Sequence, residues 1–265
     1  MIQENRKLQE KKILKYIEEK TLKLVSRMMK TFLKAEWQNL IMANYEIEDS
    51  YLLPYLPKGV ELDYFEGKSY ISLVGFLFKD TSIFNIPIPS MGTFEEVNLR
   101  FYVVRKVGNE WRRGVVFINE TVPNQLVAWI ANKLYKEHYM AIPTRHEWIE
   151  TNEKKEIQYQ WKVKSGWNSI QVEASSSKRN MIKGSIEEFI FEHYYGYTKV
   201  DPEHSIEYKI MHPSWEINDV FHHKIECDFA EFYGENFEVL NTRQPHSVML
   251  AEGSSISVDW KRDNF

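Results

Sequence analysis

The chain is poor in cysteine, glycine and proline, and it has no long apolar run. One cysteine, Cys227, among 265 residues excludes an internal disulfide and a thiolate metal cluster, and fits a reducing compartment. Cys227 stands between Glu226 and Asp228, whose negative field disfavours the thiolate and removes it from the candidate nucleophiles. The 11 glycines form neither the Walker nor the dinucleotide-binding spacing, and no Gly-x-Ser-x-Gly elbow occurs. The longest apolar run, Ile71–Phe78, contains Ser72 and Gly75 and falls far short of the roughly 20 residues a spanning helix needs. No integral membrane segment is therefore expected. The N-terminus is charged from Glu4 onward and lacks the apolar core of a signal peptide, so a cytoplasmic location is expected. A net charge of −4 leaves no basic excess, which argues against a nucleic-acid partner.

The histidines do not assemble into a ligand set. His222 and His223 are adjacent, so on a strand they point to opposite faces. His146-Glu147-Trp148-Ile149-Glu150 lacks the second histidine of the zinc-protease helix. His193 and His212 lie beside aromatics and read as packed core histidines. Neither a metal nor another cofactor is expected.

What the chain has is aromatic mass, 14% of its residues, within a composition of 43% hydrophobic and 27% charged residues. That is enough to bury a full-sized core. Its charge is uneven. Residues 1–34 carry ten Lys/Arg against four Glu, and Leu14, Ile17, Thr21, Leu24, Val25, Met28 and Phe32 recur at spacings of three and four. This predicts a basic amphipathic helix over 1–34, distinct from a domain over 35–265. Its apolar stripe would dock on its own domain or on a second subunit, making a homo-oligomer; its basic face could instead meet an anionic membrane or a partner helix.

From residue 35 the texture is β. Strands are expected at 35–47, 61–65, 69–78, 94–104, 111–119, 142–151, 156–164, 168–175, 205–211, 214–226, 245–251 and 254–260. The second and third are expected to pair as a hairpin around Glu66-Gly67-Lys68. A short helix capped by Asp49 or Ser50 runs to Leu56, and another begins at Pro123 and runs to about His138 with Leu126, Trp129, Ile130 and Leu134 buried. Further short helices are expected at 185–193 and 227–233. With no repeat or low-complexity linker, the reading is a single α+β domain.

Strand 94–104 carries the chemistry. Alternation puts Glu96, Asn98, Arg100 and Tyr102 on one face and Val97, Leu99, Phe101 and Val103 on the other. Arg100 could grip a carboxylate while Glu96 handles a proton. Alternation alone equally allows a solvated row with Glu96 and Arg100 as a surface pair. Tyr194-Tyr195-Gly196-Tyr197 could line a pocket or pack in the core.

Five stretches together resemble the uncharacterised bacterial YqjF-like family. They are Leu53-Pro54-Tyr55-Leu56-Pro57, the Glu-x-Asn-x-Arg-x-Tyr strand from Glu96 to Tyr102, Glu192–Thr198, His212-Pro213-Ser214-Trp215 and Leu250-Ala251-Glu252-Gly253-Ser254. That family is similar in turn to the acetoacetate decarboxylase superfamily. The resemblance implies a curved, mainly antiparallel sheet closing into a barrel or cone, with helices outside and a pocket within. It also implies a Schiff-base lysine after a helix, in the stretch matched here by Lys136-Glu137-His138-Tyr139-Met140-Ala141. Tyr139 and Met140 stand where the two lysines would be, and a tyrosine forms no imine. Glu96 matches an acidic pocket residue, and Tyr139 could donate a hydrogen bond or act as a weak acid.

The expected activity is binding of a small carbonyl or carboxylate compound without Schiff-base chemistry. The ligand contacts would be Glu96, Asn98, Arg100, Tyr102 and Tyr139. One alternative is an enzyme with Glu96 and Tyr139 as catalytic residues and Arg100 as anion anchor, acting on a keto acid by enolisation or hydration. The other is an interaction protein working through its N-terminal helix.

Overall fold

Dense β-branched and aromatic residues, with few glycines or prolines to interrupt them, build long strands. The computed structural model describes residues 31–87 and 92–265. In chain order the strands are β1 (Thr31–Ile47), β2 (Glu61–Leu62), β3 (Ser69–Ile83), β4 (Ile86–Pro87), β5 (Phe94–Val107), β6 (Glu110–Val122) and β7 (Tyr139–Ala141). Then follow β8 (Thr144–Glu150), β9 (Lys154–Lys162), β10 (Trp167–Asn180), β11 (Tyr195–Lys199), β12 (Ser205–Met211), β13 (Glu216–Glu226) and β14 (Ser247–Asn264). The helices among the described residues are short: α1 (Asp49–Leu52), α2 (Gln125–Tyr135), α3 (Ile186–Phe191) and α4 (Phe229–Tyr233). None is long and apolar enough to cross a membrane.

All fourteen strands join one mixed sheet, and the main path runs β1-β3-β5-β6-β11-β12-β14-β13-β10-β9-β8. Because β14 also pairs with β1, the first seven strands of that path close into a ring. Most pairings are antiparallel; β6 runs parallel to both β11 and β7. The ring's outer face carries Ile71 and Leu73 of β3 with Val97, Leu99 and Phe101 of β5, which pack on Ile157, Tyr159 and Trp161 of β9 and Ile170 of β10. Its inner face carries Met42, Val74, Phe76, Phe78, Phe94 and Phe117. The implied closed, curved sheet is thus present as a seven-strand ring with a side sheet folded over its outer wall.

Several local expectations are corrected. The basic stretch over residues 1–30 lies outside the described residues, and Thr31–Lys34, read with that helix, open β1 instead. There Leu33 pairs with Ile83 of β3 and Val258 of β14, and this sheet partnership claims the segment. β2 pairs with Val103 and Val104 of β5 rather than with β3, and only Phe65 and Lys68 bridge across the Glu66-Gly67 turn. Asp49 begins α1 instead of capping it, and its carboxylate accepts from Tyr64 and Ser69. α2 begins at Gln125 and not at Pro123, capped by Asn124, which accepts from the amides of Leu126 and Val127. Leu126 and Trp129 on α2 are 48% and 58% exposed; Ala128 is the buried residue. The two expected C-terminal strands are one, β14, bent at Gly253 with φ +82°, where a β-carbon would fall 2.0 Å from the Trp37 carbonyl oxygen.

Candidate functional site

The Glu96 row faces the interior of the ring. Glu96, Asn98 and Arg100 are 3%, 1% and 9% exposed, which excludes the solvated-row reading. Across the ladder, Phe76 of β3 lies opposite Glu96, and Glu120 of β6 lies opposite Asn98. An irregularity after Leu99 then pairs Arg100 with Phe117. The residue skipped on β6, Ile118, shifts that strand's side-chain phase, so Glu120 and Phe117 both face inward.

Tyr139 reaches the site through a β6–α2–β7 crossover. β7 aligns parallel to β6 with Tyr139 beside Glu120. Asn132 of α2 clamps Tyr139, donating to its carbonyl at 2.9 Å and accepting from its amide at 2.7 Å. The Tyr139 hydroxyl donates to Glu96 Oε2 at 3.0 Å, and Asn98 Nδ2 donates to Oε1 at 3.0 Å. Burial pushes the Glu96 carboxyl up to about 7 against these hydrogen bonds and the pull of Arg100. Glu120 is held well above the carboxylate range by burial, then by Glu137 and Glu96. Glu137 is pushed up to about 7 by burial, while Thr198 and Tyr208 donate to it. Burial also raises the Tyr139 phenol, so it stays a neutral donor.

Arg100 is the exposed nerve of this cluster. Its Nε has no hydrogen-bond partner, Nη2 reaches only the Met42 thioether at 3.6 Å, and it forms no ion pair among the described residues. Glu96, Asn98, Arg100, Glu120, Glu137 and Tyr139 line one cavity of about 680 Å³, its mouth included. The remaining wall is mostly apolar, with Phe32, Leu40, Phe76, Phe78, Phe117 and Val258. The chemistry is that of an oily chamber holding one unpaired guanidinium and carboxyls biased towards protonation.

Four of the five expected site residues meet there. Tyr102 is on the same strand face but outside the cavity wall, its hydroxyl 2.6 Å from Ser72 Oγ. Ser72 in turn donates to Asn44. No lysine among the described residues lines the cavity. Lys133 and Lys136 are exposed, the former 4.9 Å from the Trp129 ring, and Met140 is 41% exposed. Tyr197, from the aromatic run, donates to the Arg112 carbonyl instead. Sequence reasoning missed Glu120 and Glu137. The signal for Glu120 was an acid inside the apolar run Val115–Val122; for Glu137 it was a position two residues before Tyr139 in the stretch already singled out.

A seven-strand ring around a buried polar cavity is the acetoacetate decarboxylase-like fold. An acetoacetate decarboxylase-like enzyme from Sphingomonas wittichii RW1 superposes with TM-score 0.59 at 10% identity, over 90% of this chain and 94% of that one. The enduracididine biosynthesis enzyme MppR complexed with pyruvate gives 0.60 at 9% identity, over 89% and 91%. Acetoacetate decarboxylase from Legionella pneumophila gives 0.58 at 9% identity, over 87% and 85%. Residues 34–255 match DUF2071, described as an uncharacterized conserved protein, and the chain belongs to that family. The uncharacterized protein YqjF of Bacillus subtilis (strain 168) is 25% identical over 116 residues, 43% of this chain and 46% of that protein. The chain thus matches less than half the length of that relative.

Proposed function

We propose that the cavity binds a small organic acid carrying a carbonyl group, with Arg100 as anion anchor and the apolar wall around the ligand's body. The observation that carries this reading is the buried Arg100 guanidinium without a carboxylate partner, facing a cavity. Burying an unpaired cation is costly, and an incoming carboxylate supplies the missing partner in a bidentate geometry suited to arginine. The neutral Tyr139 hydroxyl and the Glu96 carboxyl, biased towards protonation, can donate to a carbonyl oxygen. This reading needs no imine, since no lysine among the described residues lines the wall. That a fold neighbour is described in complex with pyruvate makes 2-oxo acids the first panel to try.

The experiment is thermal denaturation with pyruvate, 3-methyl-2-oxobutanoate and phenylpyruvate, against uncharged alcohols of matching carbon skeleton that lack the carboxylate. A ligand at about 100 times its Kd stabilises by about 2.7 kcal/mol. The acids are expected to raise Tm and the alcohols to leave it unchanged; no acid-specific rise would refute the reading.

A second reading, enolisation, is favoured by one observation. Glu96 sits near 7, where a general base works best, with the Tyr139 hydroxyl on its other oxygen. Solvent deuterium entering C3 of the bound 2-oxo acid, and failing to do so with Glu96→Gln, would establish it.

A further inference from the structure

Glu137 lines two cavities. One is the Arg100 cavity; the other, about 560 Å³ with its mouth, lies against Glu137 together with His138, Thr198 and Lys199. Phe117 is the other residue common to both walls. The chain brings Glu137 there because α2 ends in a left-handed Lys136, φ 60°, which turns the backbone towards β6. Thr198 Oγ1 at 2.6 Å and the Tyr208 hydroxyl at 2.7 Å both donate to Oε1 of Glu137. No described residue donates to Oε2. Glu137 is thus anchored through Oε1 while its carboxyl borders both cavities.

We propose that Glu137 is a proton port, through which the inner cavity takes up a proton from the second cavity when an organic anion docks on Arg100 and returns it when the anion leaves. The inference rests on the reading of Arg100 as anion anchor. Its basis is charge balance. Among the described residues the inner wall brings together one cation, Arg100 of β5, and three carboxyls: Glu96 of β5, Glu120 of β6 and Glu137. Tyr139 of β7 and Tyr208 of β12 face them as phenols. An anion that occupies Arg100 withdraws its support from whichever carboxyl is ionised, and at low dielectric that carboxyl then takes a proton. With a ligand on Arg100, the second cavity offers a route to solvent past Glu137. On that side the titratable groups are His138, Lys199, Tyr197 and Tyr55, with Lys199 Nζ bonded to the Pro54 carbonyl at 2.9 Å. Burial holds Glu137 near neutrality, which suits it to exchange protons.

Calorimetric titration of phenylpyruvate into the full chain, in phosphate and in Tris slightly above neutrality, measures protons taken up per ligand bound. Uptake approaching one proton is expected. With Glu137→Gln the anion still binds, and stopped-flow uptake with an indicator dye is expected to lag binding by about tenfold or more. Tyr208→Phe removes a donor from the Glu137 carboxylate and raises its proton affinity, so less uptake is expected. This variant keeps the test alive if Glu137→Gln does not fold. Binding without uptake in the wild type, or unchanged rate and amount in Glu137→Gln, overturns the port alone. Absence of any binding overturns the port together with the anion reading.

Discussion

Gly196 of β11 lies directly opposite Tyr208 of β12, and a β-carbon at 196 would fall 2.1 Å from Tyr208 Cζ. The missing side chain is what lets the Tyr208 ring cross the neighbouring strand and deliver its hydroxyl to Glu137. Gly196→Ala must therefore push the ring aside. Overpacking of this kind costs about 1–3 kcal/mol. At about 2–4 °C per kcal/mol for a domain of this size, a calorimetric Tm several degrees lower is expected. A crystal structure of the variant should show the Tyr208–Glu137 hydrogen bond lengthened or lost. An unchanged Tm with Tyr208 in place would contradict the argument.

The period-two pattern of β5 was enough to put Glu96, Asn98 and Arg100 on one face, because strand alternation is a local property. Whether that face was wet or enclosed depended on β14 returning to pair β1, a contact no local pattern encodes. Glu120 became a cavity residue through an irregularity on β6, which breaks the alternation a reader would count. The stripe Leu126, Trp129, Ile130, Leu134 has helical spacing, and Ile130 and Leu134 do pack on the ring, but α2 also meets it through Val127 and Ala131 instead of Leu126 and Trp129. Small Ala131 lets the helix approach the cavity closely, and Trp129 is left outside under Lys133. β11 escaped notice because Tyr194-Tyr195-Gly196-Tyr197 reads as an aromatic cluster, while its glycine serves a partner strand.

Imine chemistry gives a direct negative control. With Tyr139 in the cavity wall and no lysine there among the described residues, borohydride reduction in the presence of pyruvate should leave the intact mass of the protein unchanged. Lys133 and Lys136 are exposed, so sporadic labelling should be substoichiometric and spread over surface lysines. A single stoichiometric adduct mapped to residues 133–140 would show that the loop rearranges to bring a lysine inward.

Arg100 separates stability from binding. It is buried, and among the described residues its one hydrogen-bond contact is the Met42 thioether, with the Tyr102 ring 5.9 Å away, so its folding contribution is small or negative. A buried charge without an ion-pair partner keeps its desolvation cost, which an apolar side chain of similar volume does not carry. Arg100→Met is expected to keep or raise Tm near pH 6 and to abolish the organic-acid response. Removing the cation also raises Glu96 and Glu120 further, because Arg100 favours their charged forms. The variant should therefore lose stability relative to wild type as pH rises above neutrality, visible in urea midpoints between pH 7 and 9. A Tm collapse at pH 6 would mean that Arg100 is structural.

His193 sets an opposite pH trend behind the cavity. It is 6% exposed, its ring 4.8 Å from Tyr102 and 5.3 Å from Phe189. Nε2 lies 3.2 Å from Asp63 Oδ2, which Arg113 also holds at 2.7 Å, and Nδ1 has no partner. Burial pulls its pKa from 6.5 to about 4 despite the attraction of Asp63. Below pH 6.5 the unfolded chain therefore binds a proton that the folded chain refuses until about 4, so this group withdraws stability as pH falls through that window. Glu96 and Glu137, raised from 4.5 to about 7, do the reverse: their contribution is lost as pH rises between those values. The wild-type curve is thus a sum of opposed slopes, and the difference between wild type and His193→Phe isolates the histidine. The variant should gain on wild type by up to roughly 1.4 kcal/mol per pH unit as pH falls from 6.5 towards 5. Urea midpoints that fall in parallel for the two proteins would mean that His193 is already charged in the fold. Asp63 and Arg113 would then form a three-membered ion cluster with it, in place of a neutral ring held between carboxylate and tyrosine.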